Sequence, residues 1–196
     1  FMGLTLKVNE QVLIPRPDTE TWLEKVIQYY RNETGLKVAD LGTGSGAILV
    51  GFLYYCRDAV GVGVDISTEA LKIAEENGQN LKITDRVEWR QGDYLKAFDE
   101  EDIFDGIFSN PPYIPTKDIG GLSREVKHEP RLALDGGTDG LYFYHLLAKG
   151  AAEHLKPGGF LAVEFGIGQA TDILEMFRKS AQYEDFEVIK DYGGIE

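Results

Sequence analysis

The sequence predicts an α/β fold: a doubly wound, mostly parallel sheet with helices on both faces and a small N-terminal β-hairpin. Three observations carry this. Short β-rich runs alternate with helical patterns along most of the 196 residues, the order that builds a parallel sheet. The first buried run passes through Gly42-Thr43-Gly44-Ser45-Gly46 directly into a helix. No repeat or low-complexity linker divides the chain, and this length supports one domain with a substantial core.

The elements follow in order. Residues 4–8 and 11–14 read as two short strands joined at Asn9-Glu10, the hairpin. After Pro15-Arg16-Pro17, Asp18 or Thr19 can cap a helix whose apolar face is Trp22, Leu23, Val26, Ile27 and Tyr30. Residues 37–41 form a buried strand, followed by the glycine loop and a helix from about Gly46. Residues 60–65 are the next strand, and Ser67 caps a helix carrying Ala70, Leu71, Ile73 and Ala74. Residues 86–91 and 105–109 are the third and fourth strands, the latter running into Asn110-Pro111-Pro112-Tyr113. Residues 114–139 lack a period and read as a long functional loop. A helix over 141–155 stops at Lys156-Pro157-Gly158-Gly159. A strand over 160–165, a helix over 169–179 and a sixth strand over 186–189 complete the pattern.

Composition narrows the function. Hydrophobic residues make up 43% and charged residues 27%, ordinary for a globular protein and unlike a disordered chain. The densest apolar run, 47–56, is far short of the roughly 20 residues that span a bilayer, so no membrane association is expected. Cys56 is the only cysteine, and His128, His145 and His154 are scattered, which excludes an internal disulfide and cysteine-rich metal sites. The opening residues do not read as a secretory signal. A cytoplasmic, metal-free protein is expected. The net charge of −13 weighs against a nucleic-acid partner, since phosphate binding needs a basic stripe. Asp99-Glu100-Glu101-Asp102 reads as a solvated loop.

In doubly wound sheets, ligands bind beyond the carboxyl ends of the strands. Asp40-Leu41-Gly42-Thr43-Gly44-Ser45-Gly46 lies at such an end. Alternate glycines permit positive φ and close ligand approach, and the helix start adds free N–H groups. Asp65 ends the next strand, 19 residues beyond Gly46, where its carboxylate can accept from both hydroxyls of a ribose. Gly42, Gly44 and Ala47 also satisfy the dinucleotide pattern, so the loop alone leaves a nicotinamide cofactor open. Asp40 adds negative charge, which a cationic sulfonium tolerates better than a pyrophosphate does; its other role is to anchor the loop's own backbone. Asp93 can accept from an adenine amino group and Tyr94 can pack on the base; the competing reading makes Asp93 a turn cap and Tyr94 a core residue.

Asn110-Pro111-Pro112-Tyr113 is the sharpest signal. The prolines lock φ and remove two backbone donors. What remains is a stiff segment offering two acceptors, the Asn110 side-chain carbonyl and the Pro111 backbone carbonyl, to a planar –NH2 group. Tyr113 supplies a face for stacking. An amide nitrogen is a poor nucleophile because its lone pair is delocalised. Two acceptors on its hydrogens build density on nitrogen and aim it at a methyl group, where positioning contributes as much as about 7–11 kcal/mol.

These residues resemble the HemK/PrmC family of release-factor glutamine methyltransferases. The likeness runs through Leu13-Ile14-Pro15-Arg16-Pro17-Asp18-Thr19-Glu20, then 40–46 and 109–114. It continues in Glu129-Pro130-Arg131-Leu132-Ala133-Leu134-Asp135-Gly136-Gly137, Asp139-Gly140-Leu141, Glu164-Phe165-Gly166 and Lys190-Asp191. Asn-Pro-Pro-Tyr is shared with adenine methyltransferases; the Ile-Pro-Arg-Pro and Glu-Pro-Arg-Leu-Ala-Leu segments are more specific. The resemblance implies a Rossmann-like class I S-adenosylmethionine-dependent methyltransferase fold. It implies S-adenosyl-L-methionine as methyl donor, S-adenosyl-L-homocysteine as product, and the Gly-Gly-Gln glutamine of peptide chain release factors as acceptor. By position, Asp40, Gly42, Thr43, Gly44, Ser45, Gly46, Asp65, Asp93, Tyr94 and Asn110 then serve the donor, Tyr94 where the family often has Trp beside adenine. Asn110, Pro111, Pro112 and Tyr113 hold the acceptor glutamine and form the catalytic group. Arg16 lies in a family motif, and its structural role would be to pin the hairpin to the following helix. The family also carries a helical domain ahead of the hairpin and a further strand at the end. Residues 1–17 are therefore expected to be the junction to that domain, and 18–196 the catalytic domain without its last strand.

Three other functions compete. An adenine-N(6) methyltransferase on DNA or RNA would meet the same –NH2 geometry but needs a flipped base and a positive path for the strand. An oxidoreductase rests on the glycine loop alone. A non-catalytic cofactor-binding module conflicts with the intact Asn-Pro-Pro-Tyr.

Overall fold

Val38 and Ala39 are consecutive, and each packs into a different core. That alternation is what a strand covered on both faces requires. The structure, a computed structural model, describes residues 1–195. Five parallel strands form one sheet: β1 (Lys37–Leu41), β2 (Val60–Asp65), β3 (Val87–Gln91), β4 (Phe104–Ser109) and β5 (Leu155–Val163), in the order β3-β2-β1-β4-β5. One face is covered by α1 (Pro17–Tyr30) and α2 (Ala47–Tyr55), with α3 (Thr68–Asn80) beside them. Trp22, Leu23, Phe52 and Phe108 centre this core. The other face is covered by α4 (Tyr142–Gly150) and α5 (Ala170–Ser180), with Tyr144, Leu147, Ile173 and Phe177 packed on Leu41, Val64 and Ile107.

Strand order reverses between β1 and β4. From β1 the sheet winds through β2 to β3; on the other side β4 is followed by β5. The loops leaving β1 and β4 therefore diverge to opposite faces and open a crevice at the carboxyl ends.

Local signals explain most boundaries. Pro17 begins α1 at the position where a missing N–H costs nothing, so the helix starts before Asp18, and Thr19 turns inward instead of capping. Ser67 caps α3 as expected, its Oγ accepting the Ala70 N–H at 3.2 Å. Helix α4 ends at Gly150, five residues short of its expected end, and a 3-10 turn over Ala151–His154 leads into β5. Pro157-Gly158-Gly159 sits inside the strand as a bulge: Phe104 faces Leu155 while Gly106 faces Phe160, and Gly158 has φ 78°.

Three expectations are corrected. The N-terminal hairpin does not form, and residues 4–8 and 11–14 are not strands. The fully buried Asn77 replaces a partner strand at one point: its Oδ1 accepts the Lys7 N–H at 2.7 Å and its Nδ2 donates to the Lys7 carbonyl at 3.0 Å. Val12 packs on Ala70 and Ile73 of α3. The sixth strand over 186–189 is also missing. Its side chains are drawn to helices: Glu187 pairs with Lys25 of α1, and Arg178 of α5 lies over the Phe186 ring. The acidic run is not wholly solvated. Asp99, Glu100 and Glu101 are exposed, but Asp102 is buried and pairs with Lys37 and Arg90.

Candidate active site at the strand ends

Register alone brings the predicted residues into a row. Leu41 is paired with Val64 on one side and Ser109 on the other, and Ser109 is paired with Val163. The next residues of the four strands, Asp65, Gly42, Asn110 and Glu164, therefore leave the sheet together. Asp65 itself is paired with Gln91, which brings the Asp93-Tyr94 turn to the end of the row.

Gly42, Gly44 and Gly46 all adopt positive φ, at 73°, 56° and 78°, but for different ends. A Cβ on Gly42 would lie 3.0 Å from the Tyr94 hydroxyl, and one on Gly46 would lie 3.1 Å from Ala74 and Trp89. Those two glycines serve the protein's own packing. Above Gly44 the nearest atom is 4.0 Å away, so this is where a ligand can approach backbone. The Gly42 and Thr43 N–H groups both donate to the Val64 carbonyl at 2.9 Å, tying the loop to β2. Thr43 and Ser45 turn their side chains inward: Thr43 Oγ1 donates to Asp40 Oδ2 at 2.6 Å, and both are buried. Toward the crevice they offer backbone.

Asp40 is fully buried, and its Oδ1 has no hydrogen-bond partner. Burial pushes its carboxyl up to about 7; the Thr43 hydroxyl opposes the shift and Asp65 adds to it. Asp65 accepts the Gly44 N–H on Oδ2 at 2.8 Å and the Ser67 N–H on Oδ1 at 2.9 Å. Burial raises its carboxyl, and those two N–H groups hold it back. Asp65 thus shapes the loop whose ligand it is expected to bind.

Asp93 pairs with Lys96, and its carbonyl accepts the Lys96 N–H in a 3-10 turn over Tyr94–Ala97. Tyr94, at φ 52°, is partly a core residue. Its hydroxyl is buried beneath Gly42, and its ring stacks on Phe143 with centroids 4.5 Å apart. Burial raises its phenol far above the ordinary range.

Asn110 stands at the crevice, and Pro111 and Pro112 are buried behind it. Among the described residues neither Asn110 Oδ1 nor the Pro111 carbonyl accepts a hydrogen bond, so both acceptors remain available. Gln169, which opens α5, fastens the turn from behind: its Nε2 donates to the Tyr113 carbonyl at 3.0 Å and its Oε1 accepts the Gly166 N–H at 2.8 Å. Glycine is needed at 140, where a Cβ would come within 2.3 Å of the Tyr113 carbonyl. Burial pushes the Tyr113 phenol up to about 12, with Glu164 adding to the shift and Arg16 opposing it.

The long loop is organised by three short 3-10 turns and one parallel bridge, Ile114 with Asp135. Arg16 reaches this loop through Glu129, not the helix that follows it. Sequence reasoning assigned no part to Asn77 or to the Gln169 side chain; Gln169 was visible only as a helix start. Thr19 read only as a candidate helix cap, and Glu164 lay in a recognised segment without a role. Among the described residues no cluster of His, Cys, Asp or Glu could hold a metal ion, and no helix is long and apolar enough to cross a membrane.

Residues 32–164 match a family model described as a methyltransferase domain. Over 194 residues the chain is 43% identical to a release factor glutamine methyltransferase from Moorella thermoacetica, covering 99% of this chain and 68% of that one. Among solved structures it resembles a methyltransferase from Pyrococcus furiosus, with TM-score 0.65, 22% identity, and coverage of 90% and 78% of the two chains. It also resembles a SAM-dependent methyltransferase from Geobacter sulfurreducens solved in complex with S-adenosyl-L-homocysteine, with TM-score 0.50, 23% identity, and coverage of 76% and 49%. The structural likenesses carry the fold: the Rossmann-like class I methyltransferase architecture.

Proposed function

The chain belongs to the release factor glutamine methyltransferase family, and we propose that it methylates the side-chain amide nitrogen of the Gly-Gly-Gln glutamine in peptide chain release factors, with S-adenosyl-L-methionine as donor. The observation that carries this reading is the adjacency, set by the Leu41–Ser109 register, of a glycine loop suited to a nucleoside and a pair of acceptors suited to an –NH2 group.

The residues present fit the donor. Open space above Gly44, the unpartnered and buried Asp40 Oδ1, and the Asp65 carboxylate at the end of β2 form a cradle with negative potential. In this reading Gly42–Gly46 supply backbone contact to the donor, and Thr43 and Ser45 stiffen that loop from within. Asp65 takes the ribose hydroxyls, Asp93 and Tyr94 border the base, and Asn110 sits between donor and acceptor. When bound, S-adenosyl-L-methionine supplies an electrophilic methyl on a sulfonium. Asn110 Oδ1 and the Pro111 carbonyl grip the two amide hydrogens of the glutamine, Pro112 keeps the turn stiff, and Tyr113 packs on the amide plane. The grip raises density on nitrogen and orients it toward the donor side. The proton released on methylation passes to water.

The test is incubation with labelled S-adenosyl-L-methionine and a release factor, then mass spectrometry of the Gly-Gly-Gln peptide, alongside an oligonucleotide arm. A methyl on the glutamine supports the proposal; label on adenine alone replaces it with the nucleic-acid reading.

A further inference from the structure

Glu164 comes off β5 beside Asn110, held on both sides of its own backbone. Its N–H donates to the Ser109 carbonyl at 3.0 Å, and its carbonyl accepts the Tyr144 hydroxyl at 2.7 Å. Its side chain then reaches back to α1. Glu164 Oε2 accepts the Thr19 hydroxyl at 2.6 Å and the Trp22 indole N–H at 3.2 Å. Thr19 and Trp22 are buried, so neither is a surface partner of convenience. The Asn110 carboxamide is the third polar group beside this carboxylate, with Nδ2 at 3.5 Å from Thr19 Oγ1.

The donors and acceptors can be counted. A carboxylate is acceptor-only, and an indole N–H is donor-only. The Thr19 hydroxyl has one hydrogen, and it is given to Glu164. What Thr19 and Glu164 jointly present to Asn110 is therefore lone pairs. Only the NH2 end of the Asn110 amide can face them. The flipped amide would set Oδ1 against two acceptors, which is repulsive in a partly desolvated site. The orientation follows from the chemistry of the partners.

We infer that Glu164, acting through Thr19, is a positioning residue that locks the Asn110 carboxamide with its nitrogen inward and its oxygen toward the acceptor, so that the site accepts an –NH2 group and rejects a carboxylate. The selectivity is rooted in the methyl-transfer reading above: a glutamine amide brings two hydrogens to Asn110 Oδ1 and the Pro111 carbonyl, whereas a glutamate carboxylate brings only lone pairs. Burial raises the Glu164 carboxyl above its ordinary value, and the Thr19, Trp22 and Asn110 donors oppose that rise. Those same donors are the groups the lock requires, and the count above is that of the ionised carboxylate.

The test uses Glu164→Gln, Thr19→Val and Thr19→Ser in the otherwise unchanged protein. The first readout needs no acceptor: the side-chain NH2 signals of Asn110 by NMR, assigned with Asn110→Ala. In the unsubstituted protein they are expected as a resolved, exchange-protected pair with contacts to Thr19, lost in Glu164→Gln and Thr19→Val and retained in Thr19→Ser. The second readout is turnover with a Gly-Gly-Gln peptide and inhibition by the matching Gly-Gly-Glu peptide. Glu164→Gln and Thr19→Val should lower kcat about 10- to 100-fold, with KM changing less, and should narrow the preference for amide over acid peptide about tenfold or more. Thr19→Ser should recover most of both. If the variants fold but leave the Asn110 signals unchanged, the lock is refuted whether or not the protein methylates glutamine. If the signals behave as expected while the unsubstituted protein leaves a release factor unmethylated, the lock stands and the function proposal falls.

Discussion

Arg16 Nη2 donates to both carboxylate oxygens of Glu129 at 2.7 Å, across 113 residues of sequence. The Ile14 N–H adds a longer contact to the same carboxylate at 3.4 Å. Two segments that read as separate motifs, Ile-Pro-Arg-Pro and Glu-Pro-Arg-Leu-Ala-Leu, are thus the two halves of one fastening. It holds the chain ahead of α1 against the long loop after β4.

Arg16→Ala leaves the Glu129 side chain, only 6% exposed, without its cation. Stability should fall by about 1–3 kcal/mol, and residues 114–135 should become easier to nick with protease. Arg16→Lys should recover only part, because a single ammonium does not match the carboxylate as guanidinium does. Unchanged melting and unchanged nicking would remove this fastening from the account.

Asn110→Ala and Asp65→Ala should separate acceptor from donor. The first removes one of the two acceptors and should lower single-turnover methyl transfer by about 10²–10³-fold, with donor affinity by calorimetry nearly unchanged. The second should weaken donor affinity by about tenfold or more, since it removes a charge-assisted hydrogen-bond acceptor and frees the Gly44 N–H. Matching losses in both quantities for both variants would contradict the division of labour.

Asp40 gives the site a pH dependence in the neutral range. Its carboxyl is raised from 3.8 to about 7, so between those values the folded state binds more protons than the unfolded state. Stability should therefore fall as pH rises from about 4 to about 7, and Asp40→Asn should flatten that part of the curve in urea titrations. Affinity for a cationic donor should move the opposite way, tightening as Asp40 ionises near neutrality. Parallel pH curves for the unsubstituted protein and Asp40→Asn would show that this carboxyl is not the titrating group.

Asp102 works in the acid range. Burial alone would raise its carboxyl, but hydrogen bonds from Arg90, the Asp99 N–H and Lys37 bring it down to about 2. A carboxyl depressed on folding contributes stability above its unfolded value, and this is lost as pH falls through about 4 toward 2. The contribution is on the order of 2 kcal/mol at neutral pH. Asp102→Asn should lower stability by that order at pH 7 and by much less near pH 2, measured by chemical unfolding at both.

Strands β1, β2 and β4 were legible because buried parallel strands have a simple signature, short apolar runs closed by glycine, aspartate or proline. Strand β3 is not such a run, alternating Val87 and Trp89 with Glu88 and Arg90. Residues 37–41 and 60–65 form strands with the expected limits. Segments 4–8, 11–14 and 186–189 have side chains suited to strands, but a strand exists only where a neighbour supplies a ladder. The Asn77 carboxamide takes the backbone of Lys7, and α1 and α5 take the side chains of Glu187 and Phe186. Tyr94 shows the same limit on one residue. Its type suits stacking on a base, yet its hydroxyl lies under Gly42, a placement that depends on how a turn after β3 meets a loop after β1.

From the chain alone come the alternation that makes the sheet, the glycine loop, the acid 19 residues beyond it, and the donor-free turn at Asn110. Each is a local property, written in φ preferences, lost N–H groups and the spacing of apolar residues. The adjacency of Asp65, Gly42, Asn110 and Glu164 comes only from strand order and register. The inward turn of Thr19 and the Arg16–Glu129 pair come only from packing. Buried polar atoms must find partners wherever the folded chain brings them, and a pairing between residues 16 and 129 or 19 and 164 has no period or spacing that sequence can display.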